Sequence, residues 1–114
     1  MACDTPIVNA EAVRQAKESM ISEDEIYNIS DFFKIFGDST RLQILCVLNN
    51  NSLTVGDLCN VINMSKSACS HQLNILRTNK LVKYQKIGKN VIYSLDDEHV
   101  SSIIDTARDH LKEK

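Results

Sequence analysis

The tightest constraint on the fold is a change of hydrophobic period late in the chain. After Ser65, the apolar residues Ala68, Cys69, Leu73, Ile75 and Leu76 recur at helical spacing. From Val82 to Leu95 the pattern alternates instead. Val82, Tyr84, Val91, Tyr93 and Leu95 are interleaved with Lys83, Gln85, Ile92 and Ser94, and Gly88-Lys89-Asn90 lies between the two runs. That pattern predicts a β-hairpin with a glycine-containing loop. Upstream, Thr54 is placed to cap a short helix over about 55–61. Asn63-Met64 makes a turn, and Ser65 caps a helix over about 66–79. Two short helices joined by a turn and followed by a hairpin form a winged helix-turn-helix, so the expected fold is mainly α with a β-hairpin wing (α+β).

The remaining segments supply support. Residues 1–8, which include the only proline, Pro6, read as a flexible arm, and residues 9–114 as one domain. A helix is expected over 9–21. Ser22 and Glu25 form a capping box opening a second helix, with Ile26, Ile29, Phe33 and Phe36 on one face and Gly37 at its end. Asp38 or Ser39 caps a third helix carrying Leu42, Ile44, Leu45, Val47 and Leu48, which the run Asn49-Asn50-Asn51-Ser52 breaks. Asp96 or Asp97 caps a last helix whose apolar stripe, Val100, Ile103, Ile104, Ala107 and Leu111, suits either a core or a dimer seam. With 114 residues the chain can bury one core of modest size, to which dimerisation would add stability. No apolar run approaches the ~18 residues of a membrane span, and no secretory pattern opens the chain, so the cytoplasm is the expected compartment. There the four cysteines, Cys3, Cys46, Cys59 and Cys69, are expected as free thiols.

Charge points to a partner. The chain's net charge is −2, yet residues 58–95 contain no Asp or Glu and carry Lys66, Arg77, Lys80, Lys83, Lys86 and Lys89. A basic block on an acidic chain is the footprint of a phosphate-binding face. The helix beginning at Ser65 presents Ser65, Lys66, Ser67, Ser70, His71 and Gln72 in its first turns. Small hydroxyls and amides at a helix N-terminus suit base edges in a major groove, and Gln72 can pair with adenine. Lys80, Lys83, Lys86 and Lys89 continue the basic surface into the wing, where they would supply salt-sensitive phosphate affinity to double-stranded DNA.

A second constellation lies in the last helix: Asp97, His99, His110 and Glu113. Asp-x-His and His-x-x-Glu are half-sites of nitrogen and oxygen donors, suited to Zn2+, Co2+ or Ni2+. Eleven residues separate His99 from His110, roughly 16 Å along a helix, while Zn–N bonds are about 2.0–2.1 Å. One helix cannot close such a site. Two antiparallel copies can, giving Asp97 and His99 from one subunit with His110 and Glu113 from the other. The same residues also suit helix capping and favourable charge at a helix C-terminus. Spacing alone leaves both readings open. A zinc hydrolase is disfavoured, because four protein ligands leave no open coordination position.

Together these segments resemble the ArsR/SmtB family of bacterial metal-responsive repressors. The resemblance runs from about Ile29 to Glu113 and is carried by Phe33-Lys34-Ile35-Phe36-Gly37-Asp38-Ser39-Thr40-Arg41, by Leu53-Thr54-Val55-Gly56-Asp57-Leu58, by Ser65 to Leu73 and by the wing. It implies a homodimer that binds operator DNA when metal-free and is released by zinc, or by cobalt or nickel. The implied site has the pattern Asp-x-His, ten residues, His-x-x-Glu, which Asp97, His99, His110 and Glu113 match residue for residue. Thiolate-sensing members carry a cysteine pair where this chain has Thr54 and Gly56, which disfavours an arsenic, cadmium or lead site. Two alternatives remain: a second site using Cys3 and Asp57, and a repressor sensing thiol oxidation or a thiophilic ligand through Cys59 or Cys3.

Overall fold

A computed structural model describes residues 2–113. The chain splits after Asp31 into two compact units. In the first, α1 (Ala10–Glu18) is capped by Asn9, whose side chain accepts from the Ala12 amide at 3.0 Å. Arg14 pairs along its surface with Glu11 and, at 2.7 Å, with Glu18. The helix stops earlier than expected from sequence: Ser19 closes it, its hydroxyl donating to the Ala16 carbonyl at 3.0 Å. α2 (Glu23–Phe36) begins here and continues into the second unit. The Ser22 hydroxyl accepts from the Glu25 amide at 3.2 Å, the forward half of the expected capping box.

The second unit holds α3 (Ser39–Leu48), β1 (Leu53–Thr54), α4 (Val55–Ile62), α5 (Lys66–Thr78), β2 (Val82–Ile87), β3 (Asn90–Leu95) and α6 (Glu98–Lys112). Asp38, Thr54, Ser65 and Asp97 are the N-caps, each accepting from a backbone amide two or three residues on. Such caps satisfy donors that a helix start leaves unpaired. Asn63 ends α4 in the left-handed region at φ 55°, a conformation asparagine tolerates better than most residues. The α4–turn–α5 pair followed by the β2–β3 hairpin is the expected winged helix-turn-helix. Ile87 pairs with Asn90 across a two-residue turn. A Cβ on Gly88 would meet nothing within 4 Å, so its φ of 62° alone favours glycine there. β1 is unforeseen from sequence. Leu53 pairs with Tyr93 and Thr54 with Ile92, making an antiparallel sheet of order β1-β3-β2. Two residues are too few to reveal an alternation.

The core is one cluster. Ile44, Leu45 and Leu48 of α3 meet Leu58 and Ile62 of α4, Cys69, Leu73 and Leu76 of α5, Leu81 and Val82 at the hairpin base, and Val100 and Ile104 of α6. The α6 stripe is therefore divided. Val100 and Ile104 belong to the core of their own chain, while Ile103 is half-buried and Ala107 and Leu111 face outward. Phe33, Leu42 and Cys46 are likewise exposed beside them, and these residues line an open apolar groove.

α6 is fastened to the core by one polar junction. Asn49, the C-cap of α3, is buried; its amide nitrogen donates to Asp105 at 2.9 Å and its oxygen accepts from the Ser101 hydroxyl at 2.7 Å. Replacing Asn49 with Ala strips both partners at once. The expected cost is about 1–3 kcal/mol, read as a lower urea midpoint with an unchanged denaturant slope.

Candidate nucleic-acid and metal sites

On α5 the burial pattern sorts the side chains by role. Cys69, Leu73 and Leu76 face the core, whereas Lys66, Ser67, Ser70 and His71 are exposed. Ser65 is also exposed, but its hydroxyl is engaged as the N-cap, accepting from Ala68 N at 3.1 Å. The wing continues this surface: Lys83, Lys86 and Lys89 are exposed on or beside its strands, and Lys80, at φ 62°, turns the chain from α5 into β2. An open cleft of about 450 Å³ has Lys66 from the recognition helix and Lys89 from the wing tip in its lining. Arg77, counted in the basic block, sits 5.5 Å above the Tyr84 ring, and Tyr84 in turn packs on Tyr93 with centroids 5.7 Å apart. This stack ties the base of the wing to α5 through a cation–π contact.

Gln72 is placed differently from the other predicted readers. It is half-buried, and its Oε1 accepts from Arg41 Nε of α3 at 3.2 Å. The contact with Arg41 escapes sequence reasoning, because the two residues are 31 positions apart. The Asn49–Ser101–Asp105 junction escapes it for the same reason.

The four C-terminal candidates fall into two groups. Asp97 Oδ1 accepts from the His99 amide at 2.9 Å and lies 3.3 Å from His99 Nδ1. One carboxylate thus caps α6 and approaches the imidazole, so the capping role and a ligating role are compatible. The His99 side chain is 92% exposed, and its ring is open to a partner from outside the chain. At the other end, His110 is exposed in the last turn and lines an apolar groove with Phe33, Ser102, Ile103, Thr106 and Ala107. Glu113 is the C-cap, and its backbone N–H donates to the Asp109 carbonyl at 3.3 Å. Among the described residues, no three His, Cys, Asp or Glu side chains gather closely enough to hold a metal ion. Each end of α6 thus offers one imidazole and one carboxylate, half of a tetrahedral set for a borderline ion such as zinc.

The cysteines divide by environment. Cys69 is fully buried, and desolvation, reinforced by nearby Cys59, raises its thiol pKa. Cys59 is half-buried and donates to the Gly56 carbonyl at 3.2 Å. Cys3 is exposed, and its hydrogen bonds with Thr5 lower its pKa. A disulfide-exchange reagent at neutral pH should therefore modify Cys3 first, and Cys69 only after denaturant is added, as followed by mass spectrometry. Equal rates at both cysteines in native protein would contradict these placements.

Fold and surface together define a class, the winged helix-turn-helix transcriptional regulators. Residues 38–84 match the family described as bacterial regulatory protein, arsR family. The chain is 42% identical to a transcriptional repressor SmtB homologue of Synechocystis, over 97% of this chain and 84% of that protein. It is 35% identical to a cadmium resistance transcriptional regulatory protein CadC homologue of Staphylococcus aureus, over 97% and 92% of the two. Among solved structures, that of apo-NmtR in solution superposes with a TM-score of 0.74 at 33% identity, covering 84% of this chain and 81% of that one. The chain belongs to the ArsR family of bacterial transcriptional regulators, a family of regulators and not of enzymes. No helix among the described residues is long and apolar enough to cross a membrane.

Proposed function

We propose that this chain is a metal-responsive repressor that works as a homodimer, holding operator DNA when metal-free and releasing it when zinc, or cobalt or nickel, occupies sites shared between two α6 helices. One observation carries this reading. The two donor pairs, Asp97 with His99 and His110 with Glu113, stand at opposite ends of α6, each incomplete, with His110 on the rim of an uncovered apolar groove. Antiparallel pairing of two such helices covers the groove and brings each His99 to the partner's His110.

Support for the class of ligand comes from relatives. The name of the S. aureus protein concerns cadmium resistance, and the Synechocystis protein is named for a repressor. A bound divalent ion supplies a centre that demands four donors at fixed distance. The protein's own residues do the rest. Asp97 orients His99, while His110 and Glu113 approach from the second subunit. The seam then holds the two α6 helices at one separation. Through the Asn49 junction, α6 passes that separation to α3 and the reading unit. Lys66, Ser67, Ser70 and His71 face the groove of the DNA, with Ser65 at the helix start, and Lys80, Lys83, Lys86 and Lys89 meet phosphates.

The direct test is fluorescence anisotropy on a duplex from the native upstream region, with and without zinc. Metal should weaken binding about 5–150-fold, the range of a typical coupling free energy. Equal affinity in both conditions would overturn the metal response while leaving DNA binding intact.

A further inference from the structure

We infer that Arg41 of α3 is a phosphate-contacting residue of the DNA surface and that Gln72 is the strut that aims it, not a reader of bases. The inference rests on the DNA-binding reading above and deepens it. At about 100° per residue, Gln72 lies roughly 140° around α5 from Ser67, so it is turned well away from the face carrying Ser67, Ser70, His71 and Asn74. Burial agrees, for those four residues are exposed while Gln72 is half-buried beside Cys69, Leu73 and Leu76. Chemistry then fixes the amide. A guanidinium has no acceptor, so the Gln72 atom facing Arg41 Nε at 3.2 Å must be the oxygen. The bidentate pattern that reads adenine needs that oxygen and the amide nitrogen directed together at one base edge. Here the oxygen is directed at α3.

Arg41 is restrained from a second direction. Asp38 Oδ2, which caps α3, lies 3.9 Å from the same Nε. Both contacts involve Nε. Among the described residues the two terminal nitrogens have no hydrogen-bond partner, and 23% of the side chain remains exposed. A guanidinium held at Nε, with its terminal nitrogens unpaired and its side chain partly exposed, suits the two oxygens of a phosphate. Its position beside the second turn of α5 is also appropriate. When a recognition helix lies in a major groove, the phosphate ridges run along its flanks, and the Gln72 contact holds Arg41 on one flank of α5.

The test measures affinity for the upstream duplex and for an unrelated duplex across a salt series, using wild type, Arg41→Gln, Arg41→Lys and Gln72→Ala. Arg41→Gln keeps a donor toward Gln72 while removing the charge. Two lost phosphate contacts per dimer should flatten the salt dependence by about 1.8 in log–log slope, so the gap from wild type narrows about tenfold between 50 and 200 mM salt. The loss should be similar on both duplexes. Arg41→Lys should keep the wild-type slope, and Gln72→Ala should lower affinity without changing preference at any operator position. An Arg41→Gln protein with wild-type affinity and slope overturns the proposal. So does a Gln72→Ala protein whose preference changes at one base pair. If wild type binds neither duplex, the DNA-binding reading fails and this proposal with it.

Discussion

Replacing both His99 and His110 with Ala is expected to leave metal-free operator binding within about twofold of wild type while abolishing release by zinc. The first half follows from placement. Both side chains are exposed, neither belongs to the core, and neither lies on α5 or the wing. Surface substitutions of this kind usually alter stability by less than about 0.5 kcal/mol. The second half follows from coordination. Losing both imidazoles leaves only Asp97 and Glu113, a pair of carboxylates too poor for a tetrahedral zinc site. The whole coupling, about 1–3 kcal/mol or 5–150-fold in affinity, should vanish. A double variant that zinc still releases would move the effector site elsewhere, and the exposed Cys3 would be the next residue to replace.

Leu73→Ala is expected to produce the largest loss of stability. Leu73 is fully buried on α5 and shares the core with Leu45 of α3 and Leu58 of α4. Truncation removes transfer free energy and leaves a cavity among elements that cannot all collapse, costing about 2–5 kcal/mol. That is a large part of the 5–15 kcal/mol typical of a folded domain. At roughly 4–8 °C per kcal/mol, Tm should fall by about 10 °C or more. The exposed neighbour Asn74, substituted in the same way, serves as the control and should change Tm by no more than a few degrees. A Leu73→Ala protein as stable as that control would contradict the burial assigned to the recognition helix.

Much of this molecule was legible from local signals. Caps depend on residues within one turn: Ser22, Thr54 and Ser65 accept as expected, and of the paired candidates it is Asp38 and Asp97 that cap. The wing was legible because alternation and a leading glycine are also local. Features created by distant partners were not. β1 exists only because Leu53 and Thr54 meet Tyr93 and Ile92. The Gln72–Arg41 contact was hidden too, because the two residues are 31 positions apart and meet only in the fold. The α6 stripe was read as either core or seam, and it is partly core. Val100 and Ile104 pack inward, while Ala107 and Leu111 face outward with His110. A pattern of apolar spacing gives a face but not its width, and a helix of 15 residues has room for two adjacent faces.

If each metal site takes two residues from each of two chains, complementation between single variants should restore one site. His99→Ala and His110→Ala chains carrying different tags would be coexpressed, and the mixed dimer isolated through both tags. Cobalt binding would then be titrated by its visible absorption beside each variant alone. In the mixed dimer one site loses both histidines, while the other keeps His99 from one chain and His110 from its partner. One tight tetrahedral site is expected per mixed dimer and none in either variant alone. A mixed dimer that binds no more cobalt than its parents would contradict it.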